Sequence, residues 1–306
     1  MFESVEVIKN KCKEKNIELW ELVLEEDSKT GQFTKEEIIE NLTKMLEVME
    51  GSANVNLDKP SKTEMGMIDG FAHRMKNYSD NNETITGDFI TNAMAMAFST
   101  LESSACMGKI VASPTAGSSG ILPAALTSMK NRYNFSTDKL VESMLTAVGV
   151  GKIIGRYSSF AGAEGGCQAE TGSGAAMAAG AITYLLGGDI DQIFNAASIA
   201  YIHVLGLVCD PIAGLVEYPC TFRNASGVVN AFISSDMSLA GIKSIVPFEQ
   251  VCIAVEEVGS NLPESLRETG LGGLAGTDVG KQIMHEFLEK NKNIGTKTPE
   301  KIEVGD

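Results

Sequence analysis

Apolar positions along the chain recur at intervals of three and four. Runs that alternate apolar with polar between turn residues are nearly absent. The pattern predicts an all-α, multi-helix fold of about ten helices, taking about 11–12 residues as the average helix. The first fifty residues read as helical with one solvent-facing side. Thr34 followed by Glu37 has the form of a capping box. It opens a helix over TKEEIIENLTKMLEVME, whose apolar positions are Ile38, Ile39, Leu42, Met45, Leu46 and Met49. Between residues 51 and 88 Gly, Asn, Pro, Ser and Asp dominate, which predicts loops with short helices. A central helix is predicted over FITNAMAMAFSTLESSACMGKIVA (89–112) and another over 136–150. The loop SPTAGSSG (113–120) precedes the apolar run ILPAALTSMK, and the Gly-rich GRYSSFAGAEGGCQAETGSG (155–174) is predicted as loop leading into a helix. Asp189 and Gln192 form a capping pair for DQIFNAASIAYIHVLGLV, and RNASGVVNAFISSDMSLAG and FEQVCIAVEEVGS read as further helices.

A single helical domain over 1–290 is therefore expected, with N-terminal helices in 1–50, a loop-rich segment in 51–88 and a core in 89–290. The polar residues 291–306 are expected to be a disordered tail. Composition sharpens this. Hydrophobic residues at 43% against 21% charged exclude a disordered chain. With 31 Gly, 14 Met and only 6% aromatics, the core is expected to be built from closely packed small residues. The uncharged stretch from Thr171 to Gly188 is short and only moderately apolar, so it predicts a buried core helix and no membrane span. A net charge of −15 argues against nucleic acid and against an anionic membrane surface. The opening MFESVEVIKNKCKEK has no apolar signal core, so a cytoplasmic protein is expected, its six cysteines thiols or metal ligands.

No CxxC occurs among those cysteines, which excludes a zinc-ribbon or thioredoxin-type pattern. Cys12, Cys106 and Cys252 lie in helical patterns where packing explains them. Cys167 follows Gly165 and Gly166 at a predicted helix start, where free N–H groups and the helix dipole favour a thiolate. Cys209 and Cys220 bracket CDPIAGLVEYPC, a segment stiffened by two prolines that presents two sulfurs. Iron–sulfur ligands often sit beside Gly and Pro because exposed N–H groups then donate to sulfur. Spacing alone nevertheless favours three unrelated buried thiols over a ligand set. If the three do act together, a missing fourth ligand leaves one iron open to bind substrate.

The loop PTAGSSG has the pattern of an anion cradle: Gly117 and Gly120 allow close backbone approach, and Ser118 and Ser119 carry hydroxyl donors. It lacks the Lys-Ser/Thr ending of a phosphate loop, and read alone it is a turn before a helix. Of the three histidines, His285 is expected to be exposed, His73 adjoins Arg74, and His203 stands six residues before Cys209 on an apolar helix.

Four blocks together resemble a known family: ASPTAGSSGILPA, AGAEGGCQAETGSGAAMAAGAI, LGLVCDPIAGLVEYPCTFRNA and RETGLGGLA. In content and order they are similar to the α chain of the iron–sulfur-dependent L-serine dehydratases (L-serine ammonia-lyases), over roughly residues 1–285. The resemblance implies a helical catalytic domain that uses no pyridoxal phosphate and carries a [4Fe–4S] cluster on Cys167, Cys209 and Cys220. It implies elimination of water from L-serine to give pyruvate and ammonia, with the open iron as Lewis acid. The family's β part carries a Ser-Ser-Ser-His-Thr type motif that this sequence lacks, so a separate β subunit is expected as partner. Two departures stand out: SKTEMGMIDGFAHRM has fewer glycines than the family's segment, and no cysteine follows Cys252. The open iron is then expected to be capped by water, substrate or another subunit.

On this reading Thr115, Gly117, Ser118, Ser119 and Arg223 are the expected substrate-binding residues, Arg223 offsetting cluster or substrate charge. The general base is unassigned, with the β chain as one source and His203, Ser118 or Thr115 as local candidates. Two rival functions share the features: a cluster-dependent L-cysteine desulfidase, and a non-catalytic cluster-bearing partner or sensor subunit.

Overall fold

The computed structural model describes residues 2–291, which form thirteen α-helices. In chain order these are α1 (Val5–Lys15), α2 (Leu19–Ser28), α3 (Lys35–Asn54), α4 (Phe71–Asn81), α5 (Gly87–Ala105), α6 (Ile121–Tyr133), α7 (Thr137–Tyr157), α8 (Gly162–Gly165), α9 (Cys167–Leu185), α10 (Ile190–Ile202), α11 (Cys220–Leu239), α12 (Phe248–Asn261) and α13 (Asp278–Asn291). Single 3₁₀ turns lie at Ile212–Gly214 and Glu264–Leu266. Among the described residues β pairing is confined to two isolated bridges, Lys62 with Asp69 and Cys209 with Arg267. The all-α expectation holds. The expected tail lies, past Asn291, outside the described residues.

Local chemistry sets several helix starts. Thr34 Oγ1 accepts the Glu37 N–H, and the Glu37 carboxylate accepts the Thr34 N–H, so the predicted capping box opens α3. Asp189 and Gln192 make the same reciprocal pair at α10. Ser136 caps α7, which continues past the predicted end at Val150 to Tyr157. The glycines that look like breakers there are contact points: a Cβ on Gly149 would press on Leu19 and Val23 at 3.1 Å, and one on Gly151 on Met177 at 3.2 Å. Conversely α5 stops at Ala105, short of the predicted 112, where Met107 turns left-handed at φ 61°.

Two helices differ from the sequence expectation. α4 lies in the segment expected to be loop-rich, and its start is capped from a distance. The fully buried Glu102 of α5 accepts the Ala72 N–H and the Ser61 hydroxyl, each at 3.0 Å. α13 falls where no helix is predicted, although Val279, Ile283, Met284 and Phe287 recur at helical spacing.

The centre of the fold is α9. All nineteen of its residues are buried, and α6, α7, α10 and α11 pack around it. A helix that is apolar or small on every side is a core helix, and the run GSGAAMAAGA explains how four neighbours fit. A Cβ on Gly172 would meet the Tyr201 ring at 2.7 Å, and one on Gly180 would meet Val150 at 2.8 Å. The buried core continues without a break from Ile8 to Val255. Among the described residues no helix is long and apolar enough to cross a membrane.

α12 crosses the short α8 where Gly259 faces Gly165, two residues before Cys167. A Cβ on Gly259 would lie 2.6 Å from the Gly165 Cα. Backbone cannot retreat as a side chain can, so Gly259→Ala should force the elements apart and cost about 1–3 kcal/mol. Thermal denaturation measures it; an unchanged midpoint would show that α12 is free to shift.

Candidate active site

Three segments far apart in sequence carry Cys167, Cys209 and Cys220, and local structure brings their thiols together. Gly166 precedes α9 at φ 76° and ψ 179°, a conformation open only to glycine, so the chain turns sharply and Cys167 becomes the first helical residue. Gln168, wholly buried, then ties down the approach to Cys209. Its Oε1 accepts the Gly206 N–H at 2.8 Å, and its own N–H donates to the Leu207 carbonyl at 3.0 Å. Cys209 is fixed on its other side by the 266–268 segment: its N–H donates to Leu266 O at 2.9 Å, and its carbonyl accepts the Glu268 N–H at 2.7 Å. Cys220 opens α11 directly after Pro219.

Arg223, in the first turn of α11, joins these pieces. Nη1 donates to the Val208 carbonyl at 2.9 Å and Nη2 to Asp210 Oδ1 at 2.7 Å, so the guanidinium grips both neighbours of Cys209. It also faces the Cys167 thiol. Asp210 Oδ2 accepts the Leu274 N–H at 2.8 Å, which folds the GLGGLA segment over the site.

The 113–120 loop closes the site from a third direction, and it already holds a carboxylate. Glu170, one turn after Cys167 and 8% exposed, accepts the Thr115 hydroxyl at 2.6 Å and the Gly117 N–H. A Cβ on Gly117 would lie 2.5 Å from Glu170 Oε1, so any side chain there would displace the carboxylate. The hydroxyls of the loop are used internally: Ser119 Oγ donates to Ala116 O at 2.7 Å, and Ser118 Oγ bonds Thr115 Oγ1 at 3.0 Å. Both serines are fully buried. The anion cradle expected here is thus present but seats Glu170, and in this conformation neither serine presents a hydroxyl to a ligand. Asn224 of α11 grips the loop from the far side, taking the Gly120 N–H at 2.9 Å and donating to Gly117 O at 2.6 Å.

The electrostatics are those of a site built for a cation. Burial pushes the Cys167, Cys209 and Cys220 thiols well above their ordinary range, and for Cys209 and Cys220 the neighbouring Cys167 adds to the shift. Burial likewise raises the Glu170 carboxyl. The Thr115 hydroxyl opposes that rise, nearby Glu268 adds to it, and Arg223 and the Gly117 N–H oppose it. Asp210 already claims Arg223, so one shared guanidinium faces the Cys167 and Cys220 thiols as well as two carboxylates. All three thiols are free. Among the described residues no three His, Cys, Asp or Glu side chains converge on a point where a single ion would sit. A four-iron cluster sets another requirement, since each thiolate takes its own iron and the sulfurs stand apart. Gly162 packs closely on one of the sulfurs: a Cβ there would come within 2.8 Å of Cys209 Sγ. Three free thiols in electrostatic reach of one another beside a guanidinium are a donor set whose chemistry fits a cluster.

The histidines lie elsewhere. His203 sits exposed at the end of α10, with Nδ1 2.6 Å from Asn230 Oδ1. Asn230 is ten residues along α11 from Cys220, about 15 Å at 1.5 Å per residue. The geometry therefore does not bring His203 to the thiols. His73 Nδ1 pairs with Leu57 O at 2.9 Å, and the His285 side chain is 76% exposed. The sequence pattern does not single out Gln168, Glu170, Asp210 or Asn224. The available signal was periodicity: Glu170 and Asn224 follow Cys167 and Cys220 by three and four residues, which puts each on its thiol's helix face.

The sequence model of the serine dehydratase alpha chain family matches residues 14–275. A protein of Peptoniphilus asaccharolyticus named L-serine dehydratase, alpha chain, is 56% identical over 279 residues, 91% of this chain and 96% of the relative. A Bacillus subtilis protein named probable L-serine dehydratase, alpha chain, is 38% identical over 283 residues, 92% of this chain and 94% of the relative. A Streptomyces coelicolor protein named L-serine dehydratase is 34% identical over 249 residues, 79% of this chain but 54% of that longer protein. The chain belongs to the serine dehydratase α-chain family.

Within the site the Arg223–Asp210 pair is the buried ion pair, with side chains 15% and 4% exposed. Arg223→Met leaves Asp210 uncompensated and should cost about 3–5 kcal/mol in the metal-free protein. Adding Asp210→Leu should return part of that loss. Denaturant unfolding of both variants checks this; a double variant no better than the single would show that the pair is not what orders the segment.

Proposed function

We propose that this chain is the α subunit of an iron–sulfur-dependent L-serine dehydratase, converting L-serine to pyruvate and ammonia in the cytoplasm. The observation that carries the reading is three buried free thiols in electrostatic reach of one another, with a guanidinium beside two of them, in a chain whose relatives, covered over nine-tenths of their length, are named as serine dehydratase alpha chains. When bound, a [4Fe–4S] cluster on three thiolates supplies an open iron as Lewis acid for a poor leaving group.

The chain's own residues supply the rest. Cys167, Cys209 and Cys220 hold the cluster. Arg223 offsets the charge the thiolates acquire, and the helix starts at Cys167 and Cys220 direct N–H groups and positive dipole ends at them. Glu170 keeps a carboxyl beside the thiols within a dry wall. Thr115, Gly117, Ser118 and Ser119 act through the loop they build, by fixing Glu170 and the wall beside the substrate. Loss of the α-proton and β-hydroxyl from serine gives aminoacrylate. This tautomerises to an imine, which water hydrolyses to pyruvate and ammonia. His203 lies away from the site, and the Thr115 and Ser118 hydroxyls are engaged with Glu170 and with each other, so on this reading the general base comes from a separate β subunit. The naming of the relatives as alpha chains supports a separate second chain.

Anaerobically reconstituted protein should carry about four irons and four sulfides per chain. Cys167→Ser, Cys209→Ser and Cys220→Ser should each lose them, whereas Cys12→Ser and Cys252→Ser should not. With the β chain added, pyruvate should form from serine faster than from cysteine. A colourless wild-type protein that still releases pyruvate contradicts the cluster. Preference for cysteine contradicts the substrate, and full turnover by this chain alone contradicts the partner.

A further inference from the structure

The peptide at Gly117 is held by both helices that begin with a proposed ligand. Its N–H goes to the Glu170 carboxylate on α9, and its carbonyl accepts Asn224 Nδ2 on α11 at 2.6 Å. Asn224 is fully committed: Nδ2 also donates to the Cys220 carbonyl at 2.9 Å, and Oδ1 accepts the Gly120 N–H at 2.9 Å. Thr115 closes the other side on Glu170 at 2.6 Å. Glu170 is 8% exposed and Asn224 0%, so water cannot replace these bonds cheaply. Neither glycine has room for a side chain: a Cβ on Gly120 would strike Leu101 at 2.6 Å and the Ala97 carbonyl at 2.7 Å.

We infer that Glu170 and Asn224 are positioning residues, which clamp the 115–120 loop between α9 and α11 and couple its order to retention of the metal centre. The inference rests on the proposed cluster site. Each clamp residue lies one turn beyond a thiol on the same face, so the loop is a cross-brace that sets the separation of Cys167 from Cys220. A centre that draws those thiols to a fixed separation tightens the brace. By linkage, loosening the brace weakens the hold on the centre by the same free energy.

The test measures amide hydrogen exchange in 115–120 of the metal-free and anaerobically reconstituted full chain. It also measures the rate of iron transfer to excess EDTA. Asn224→Ala and Glu170→Ala should raise exchange in the loop and speed iron loss at least about tenfold, since each removes two or more buried hydrogen bonds and one alone is worth about that factor. Exchange in the α10 and α12 interiors should stay unchanged. Glu170→Gln keeps an acceptor for Thr115 and Gly117 and should stay near wild type on both readouts. Reconstitution should slow loop exchange in wild type and much less in Asn224→Ala. Unchanged loop exchange in both alanine variants overturns the clamp, and so does iron loss at the wild-type rate from a loosened loop. Exchange that rises throughout the chain in step with iron loss also overturns it, since that is plain destabilisation. If the wild-type chain takes up no iron, the cluster reading fails, while exchange in the metal-free protein still decides the clamp. Should Asn224→Ala not fold, Glu170→Ala, which leaves the Asn224 side of the clamp intact, decides in its place.

Discussion

Three thiols buried within reach of one another cannot all ionise without a cation among them. In a medium of low polarity each added thiolate raises the cost of the next. One guanidinium, already shared with Asp210, does not meet that need. On the proposed reading the cation is a metal centre, and much of the surrounding structure serves to place its ligands. Gly166 turns Cys167 to the head of a helix, Gln168 fixes the approach to Cys209, and Arg223 ties that approach to the helix opened by Cys220.

Such an assembly needs a rigid frame, which α9 provides. Its small residues let α6, α7, α10 and α11 approach on all sides, so the thiol at its first residue is backed by a close-packed core. The 115–120 loop then bridges α9 and α11 at their open ends. Its glycines are there because the space is taken, by Glu170 at Gly117 and by Leu101 at Gly120.

Much of this was legible in the sequence. Capping boxes at Thr34 and Asp189 mark helix starts because the signal is local, and the uncharged Ala/Gly run marks α9 because burial on all sides leaves no polar face. Legibility ends where tertiary contact decides. α4 starts where Glu102, thirty residues on, supplies its cap, and α7 runs through Gly149 and Gly151 because neighbouring helices require small residues there. In the site the Gly-Ser loop shows as a carboxylate cradle, but the carboxylate it holds comes from Glu170, fifty-five residues away. His203 looks close to Cys209 in sequence, yet it leaves α10 toward Asn230 while the intervening chain turns back. Family resemblance pointed to the three cysteines; only the fold shows how Arg223, Glu170 and Asn224 join them.

The most direct test is the Mössbauer spectrum of the chain reconstituted with isotopically enriched iron, recorded with the β chain before and after L-serine is added. Three thiolates leave one iron without a protein ligand, so about one iron in four should change its parameters on serine binding. In the Cys209→Ser variant no such cluster should form. A wild-type spectrum without a cluster, or one whose irons are all indifferent to serine, would contradict the account.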